Sequence, residues 1–120
     1  MSALDAITIV VRSLPTSLAF YRLVGVEAED VLVGCYAVTE LGCGVRLEWT
    51  VESSPSPTSS PRVRLGLRCA DGDELERIYR SVVAAGHRPV SAPHDASWGA
   101  RVCRVLDPDG NTVELYTPWP

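Results

Sequence analysis

The stretch that decides the fold lies near the C-terminus, where residues 104–115 have the sequence RVLDPDGNTVEL. Within it, residues 107–110 suit a type I turn, with proline at the second position and a glycine that supplies the positive φ of a bulge. A bulged hairpin places Arg104 opposite Glu114 and groups Cys103 and Val105 with Val113 and Leu115 on the other face. The unbulged alternative slips the pairing by one residue and leaves Glu114 facing Cys103, so we favour the bulge.

The first half of the chain contains a similar arrangement, because Gly44 precedes Glu48 by the same interval that separates Gly110 from Glu114. Side chains alternate between the two faces of a strand, so residues 45–51 should have one polar and one apolar face. The polar face carries Arg46, Glu48 and Thr50. The other face, which we expect a helix to cover, carries Val45, Leu47, Trp49 and Val51.

The two halves repeat one order of elements: an apolar strand, a helix, and further strands that end in a hairpin. Ser13 and Pro15 begin the first helix and Gly25 ends it, with Leu14, Leu18 and Tyr21 on one stripe. Asp71 and Glu74 have the spacing of a capping box, and the second helix ends at Gly86 with Leu75, Ile78 and Val82 on its stripe. The Pro- and Ser-rich residues 53–61 form a linker between module one, 1–52, and module two, 62–120.

The amino-acid composition limits which classes of function are possible. A chain of 120 residues, 46% hydrophobic and 22% charged, fits one globular domain. Lysine is absent, which excludes lysine Schiff bases and pyridoxal phosphate chemistry.

Charge and hydropathy indicate which partners are unfavourable. The net charge of −4 without a basic cluster disfavours binding to nucleic acid, and no apolar run approaches the length of a membrane span. The four cysteines lack a Cys-x-x-Cys pair, so we interpret them as reduced structural thiols of a soluble, cytoplasmic protein.

Three segments together resemble the glyoxalase, bleomycin resistance protein and extradiol dioxygenase superfamily, also called vicinal oxygen chelate proteins. They are residues 17–22 after the first strand, Trp98-Gly99, and residues 107–115. The resemblance covers nearly the whole chain. It implies an α+β fold in which two βαβββ modules form curved mixed sheets around a cavity, and it implies a homodimer.

The resemblance also identifies four positions, Ala6, Glu48, Arg64 and Glu114, where the enzymes of this superfamily hold one divalent metal. Only the two glutamates can ligate, since alanine has no donor atom and a guanidinium has no lone pair to offer. A catalytic metal normally has three protein ligands and one open position. We therefore expect no metal and no cofactor.

We hypothesise that arginine takes the electrostatic role of the metal. Two partly desolvated carboxylates, Glu48 and Glu114, need a nearby cation, and Arg64 and Arg104 can supply positive charge and bidentate hydrogen bonds. Whether these residues contact a ligand directly or form only a structural ion-pair network stays open at this point.

The remaining residues to weigh are two histidines and three aromatic residues. We place His87 and His94 in loops, where solvation is the ordinary role, and His94 is the better candidate for a general base because Asp95 is adjacent. The aromatic candidates for ligand contact are Tyr36, Trp98 and Tyr116, whose alternative role is packing.

The sequence thus predicts a metal-independent protein that binds and sequesters a planar natural product or antibiotic. The net negative charge favours a cationic ligand. The alternative is a metal-dependent lyase, isomerase or dioxygenase of the same fold with an atypical site, and a second alternative is a non-catalytic regulatory or structural partner.

Overall fold

We describe a computed structural model of the protein for residues 4–32, 35–42, 44–51 and 63–119. The chain divides into two compact units, Met1–Ser59 and Ser60–Pro120, and each is described by itself. The predicted linker at 53–61 lies outside the described residues, as does Cys43.

The first unit contains one four-stranded mixed sheet and one helix. Its elements are β1 (Ala6–Val11), α1 (Leu14–Leu23), β2 (Asp30–Leu32), β3 (Tyr36–Glu40) and β4 (Arg46–Val51). The strand order is β1-β4-β3-β2, with β1 parallel to β4 and the other pairs antiparallel. The parallel pair is joined by a crossover that includes α1, as parallel strands require.

The second unit repeats this architecture. Its elements are β5 (Arg64–Arg68), α2 (Gly72–Ala84), β6 (Pro89–Ala96), β7 (Ala100–Leu106) and β8 (Thr112–Pro118). The strand order is β5-β8-β7-β6, with β5 parallel to β8. The sequence prediction of an α+β chain built from two βαβββ modules is therefore confirmed.

Both helices begin and end where the sequence predicts. The Ser13 side chain accepts the Thr16 N–H, and the Asp71 carboxylate accepts the Glu74 N–H at 2.8 Å. The Glu74 carboxylate in turn accepts an N–H from Ala70 at 3.1 Å, which completes a variant of the capping box. After each helix a glycine, Gly25 or Gly86, adopts the positive φ that ends many helices.

The helices cover one face of each sheet with apolar side chains. In the first unit the ring of Tyr21 in α1 contacts the ring of Trp49 in β4, with centroids 5.5 Å apart. The stripe of α1 includes Ser17 and Phe20, both fully buried, which the sequence analysis did not assign to it. In the second unit the covered face consists of Cys103, Val105, Val113 and Leu115, all fully buried.

The closing hairpin has the predicted bulged register. Arg104 is paired with Glu114 and Val105 with Val113. Gly110 has φ +89°, and its N–H donates to the Asp107 carbonyl at 3.0 Å. The pattern of turn residues was therefore sufficient to fix which side chains of β7 and β8 share a face.

The prediction that His94 lies in a loop is wrong, because His94 belongs to β6. Pro89 and Pro93 argue against a central strand, since proline cannot donate to the sheet ladder. β6 is an edge strand with irregular register, and an edge strand tolerates both features.

Candidate functional site

Each sheet has an open face, which we define as the face that its own helix does not cover. Register partners in adjacent strands have side chains on the same side of a sheet. In the second unit the open face therefore carries Arg64, Gly66 and Arg68 of β5, Glu114 and Tyr116 of β8, and Arg104 of β7. In the first unit it carries Thr8 of β1, Tyr36 of β3, and Arg46 and Glu48 of β4.

Glu114 is the centre of an ion-pair cluster on the open face of the second unit. Its Oε2 accepts a hydrogen bond from Nε of Arg104 at 2.7 Å and another from a terminal nitrogen of Arg64. The Glu114 side chain is only 14% exposed, while the two guanidinium groups extend toward solvent. The structure thus brings together three of the residues that the sequence analysis named for the site.

The pKa of the Glu114 carboxyl reflects this environment. Burial raises the pKa, but hydrogen bonds and attraction from Arg104 and Arg64 outweigh burial, so the net pKa lies below its ordinary value of 4.5. The side chain is therefore an anion held by two cations near neutral pH. Such a carboxylate is stabilised in its charged form and is a poor general acid.

Glu48 is the equivalent carboxylate on the open face of the first unit, and its partners differ. Its Oε1 accepts a hydrogen bond from the Thr8 hydroxyl at 3.2 Å, and its Oε2 lies 3.6 Å from Nε of Arg46. A hydrogen bond with Glu48 raises the pKa of the Tyr36 hydroxyl, followed by burial and by the repulsion of the Glu48 charge. Tyr36 therefore stays protonated and donates to Glu48.

Sequence reasoning missed Thr8. The family resemblance gave Ala6 as the β1 position of the site, but Thr8 is the register partner of Glu48 and Ala6 is the partner of Arg46. Strand alternation already puts Thr8 on the same face of β1 as Ala6. Because Thr8 is the polar residue of the two, its polarity was the sequence signal that could have identified it as a partner of Glu48.

Tyr116 and Trp98 form an aromatic pair at one end of the second sheet. Tyr116 lies on the open face, and Trp98 is in the turn between β6 and β7. Their ring centroids are 6.2 Å apart with an angle of 58° between the planes. Trp98 is 61% exposed, so part of this pair is accessible to solvent.

His94 also lies on the open face of the second sheet, as the register partner of Val102. Its Nδ1 is 2.8 Å from the Ala92 carbonyl, which orients the ring. Asp95 instead contacts Arg101 at 3.3 Å, because consecutive residues of a strand have side chains on opposite faces. The carboxylate that made His94 attractive as a base is therefore engaged elsewhere.

The residues present do not fit the divalent metal that enzymes with this fold hold. In the described part of the chain, no group of three or more His, Cys, Asp or Glu side chains is close enough to bind a metal ion. Around Glu114 two guanidinium groups already donate to the carboxylate oxygen Oε2. A third positive group at that oxygen would meet charge repulsion.

Comparison with known proteins places these features in a family. A family model described as the glyoxalase/bleomycin resistance protein/dioxygenase superfamily matches residues 3–115. No curated protein sequence matches the chain. None of the described helices is long and apolar enough to cross a membrane.

Solved structures with the same fold are distant in sequence. A glyoxalase-related enzyme from Fulvimarina pelagi shares 20% identity, covers 98% of this chain and 88% of its own, and has a TM-score of 0.82. A glyoxalase/bleomycin resistance protein/dioxygenase family enzyme from Burkholderia phytofirmans PsJN shares 17% identity, with coverage of 98% and 99% and a TM-score of 0.80. A glyoxalase/bleomycin resistance protein/dioxygenase from Nocardioides shares 21% identity, with coverage of 99% and 85% and a TM-score of 0.73.

Proposed function

Because this chain belongs to the glyoxalase/bleomycin resistance protein/dioxygenase superfamily, we propose that it binds a small, planar organic molecule without a metal ion. A natural product or an antibiotic is the class of ligand that we favour. The observation that carries this proposal is the pair of guanidinium groups on Glu114, which supplies the positive charge that a metal supplies in the enzymes.

The chemistry of the open faces supports binding over catalysis. Glu114 is held as an anion by Arg64 and Arg104, and Glu48 is held by hydroxyl donors. A carboxylate held as an anion in this way, as Glu114 is, is not set up to exchange a proton near neutral pH, which general acid–base catalysis requires. Trp98 and Tyr116 offer flat apolar surface for a planar ligand.

Metal analysis tests the first half of the proposal. The purified protein is incubated with Mn²⁺, Fe²⁺, Co²⁺, Ni²⁺ or Zn²⁺, separated from free ions, and measured by mass spectrometry. We expect no ion in molar proportion to the chain. One tightly held ion per chain would contradict the proposal, as would turnover of α-keto thiohemiacetals or catechols that a chelator abolishes.

Ligand screening tests the second half. A ligand that binds only the folded protein, present at 100 times its Kd, stabilises it by about 2.7 kcal/mol, so a panel of planar natural products can be screened by thermal shift. We expect at least one stabilising compound whose effect is lost in Trp98→Ala. The matched control is Val83→Ala, since Val83 is also an exposed apolar residue but belongs to α2 and not to the open face.

No stabilisation by any planar compound would contradict the proposal and favour a regulatory or structural role. An effect that survives Trp98→Ala would place the ligand away from the Trp98 and Tyr116 pair. We also propose that the protein is a homodimer, which sedimentation velocity measures directly.

A further inference from the structure

The open face of the second sheet has an excess of positive charge. Arg64 and Arg68 lie four residues apart along β5, about 13 Å in an extended strand. Arg104 lies on β7 of the same face. These three guanidinium groups face one carboxylate among the open-face residues of β5, β7 and β8, namely Glu114.

The single carboxylate is already shared. Arg64 and Arg104 both donate to the same oxygen of Glu114, so one negative charge is opposed by two positive charges. Arg68 is exposed and forms no ion pair with any residue that the structure describes. The unbalanced charge on this face is therefore concentrated at Arg68 and at the outer nitrogens of the other two arginines.

An uncovered stretch of backbone separates the two arginines of β5. Gly66 is exposed, and a Cβ added there would meet only the Tyr116 ring, at 3.8 Å. A glycine in the middle of a strand costs stability and often marks a point where a ligand approaches the backbone closely. Here the space above Gly66 is bordered by the Tyr116 ring on one side and by arginine side chains along the strand.

The aromatic pair adjoins the arginine that lacks an ion pair. Arg68 and Tyr116 are register partners on adjacent strands, about 4.8 Å apart, and the Tyr116 ring contacts Trp98. A ring that lies against Tyr116 and Trp98 would therefore carry its substituents close to Arg68. Guanidinium groups bind oxyanions through paired N–H donors, and aromatic rings pack on aromatic side chains.

We propose that the ligand of this protein is an aromatic oxyanion, a planar ring bearing a carboxylate or a comparable acidic group. The ring packs against Tyr116 and Trp98 over Gly66, and the anion binds Arg68. This assignment rests on the proposed binding function and adds the charge class of the ligand. It reverses the cationic class that the net charge of the whole chain favours.

Three naphthalene compounds that share one ring system and differ in charge provide the test: naphthalene-2-carboxylate, naphthalene-2-carboxamide and naphthalen-2-ylmethylammonium. Binding of each to the full chain is measured by isothermal titration calorimetry at low ionic strength. We expect the carboxylate to bind about tenfold more tightly than the uncharged amide, as one charge-assisted contact predicts, and the ammonium to bind most weakly.

Variants locate the anion. Arg68→Gln should remove the preference for carboxylate while leaving the affinity for the amide unchanged, and Arg68→Lys should restore part of it. Arg77→Gln is the matched control because Arg77 is an exposed arginine of α2, on the covered side of the sheet. Trp98→Ala should weaken all three compounds alike. Circular dichroism confirms that each variant is folded.

The outcomes separate this assignment from the binding function. Equal affinity for the three compounds, a tighter ammonium, or a carboxylate preference that survives Arg68→Gln would overturn the anionic assignment while leaving planar binding intact. A Trp98→Ala variant that binds all three as the parent does would overturn the placement of the ring. Failure of all three compounds to bind, while a planar compound of the thermal-shift panel stabilises the protein, would overturn this assignment alone, and failure of the whole panel as well would overturn the proposed function.

Discussion

At the scale of single residues, Glu114 shows how an environment sets the role of a carboxylate. Its neighbours in β5 and β7 are arginines, and both donate to one of its oxygens. The result is a fixed anion of low proton affinity on the open face of the second sheet.

Removing the charge of Glu114 should destabilise the protein. In Glu114→Gln the carboxylate that joins Arg64 and Arg104 is lost, and two guanidinium groups repel each other across a partly buried position. Because both arginines are more than a third exposed, solvent screens this repulsion, and we expect a loss of about 1 to 2 kcal/mol in the free energy of unfolding. Urea unfolding at pH 7 measures it.

The matched control is Glu27→Gln. Glu27 pairs with Arg22 at 3.2 Å, but both side chains are largely exposed, and such surface pairs contribute little. A loss in Glu27→Gln as large as that in Glu114→Gln would contradict the special position of Glu114.

The stability that Glu114 contributes should depend on pH. Its pKa is lower in the folded protein than its ordinary value of 4.5, so the unfolded chain takes up the proton first as the pH falls. The contribution is therefore complete well above pH 4.5 and is lost as the pH falls through the folded pKa. We expect the stability difference between the parent and Glu114→Gln to shrink in unfolding experiments from pH 6 to pH 3, and a constant difference would refute this interpretation.

At the scale of elements, short local signals determined where helices begin and where the hairpin turns. Asp71 begins α2 and Gly110 fixes the bulge, and each acts within a few residues of its own position. The edge strand β6 was missed because its prolines contradict local strand preference, and only its position at the edge of the sheet makes them acceptable.

Asp71→Ala should destabilise α2 by about 1 kcal/mol, because the Glu74 N–H loses its acceptor at the start of the helix. The control is Asp73→Ala, which removes an acidic residue from the same first turn without removing the N-cap. Thermal unfolding of both variants measures the difference. Equal destabilisation would show that the helix responds to charge in its first turn and not to the cap.

At the scale of the whole molecule, charge is distributed unevenly over the two open faces. The face of the second unit carries Arg64, Arg68 and Arg104 against one glutamate, whereas β3 and β4 in the first unit carry Glu40 and Glu48 against Arg46. The net charge of −4 averages over such local differences. It therefore does not indicate which charge a ligand meets.

Thiol reactivity should follow burial across the molecule. Cys69 and Cys103 lie in the core of the second unit, whereas Cys35 is exposed. Burial is the main reason that the pKa of Cys69 rises to about 11 and the pKa of Cys103 to about 12. The thiolate is the reactive form, so iodoacetamide at pH 8 should label Cys35 well before the two buried thiols. Peptide mass spectrometry reads each site separately.

A urea-unfolded sample is the control for this labelling, and there Cys35, Cys69 and Cys103 should react alike. Rapid labelling of Cys103 in the folded protein would contradict its position in the core.

The sequence by itself determined the repeated α+β architecture, the helix ends and the register of the closing hairpin. Alternation along a strand and turn chemistry are local properties, so the pairing of Arg104 with Glu114 followed from them. Only the tertiary structure decided that Thr8 and not Ala6 contacts Glu48. It also decided that Arg64 and Arg104 share one oxygen of Glu114. Arg68, by contrast, has no ion pair among the described residues. Those contacts depend on the pairing of parallel strands distant in sequence and on side-chain reach, which no local pattern encodes.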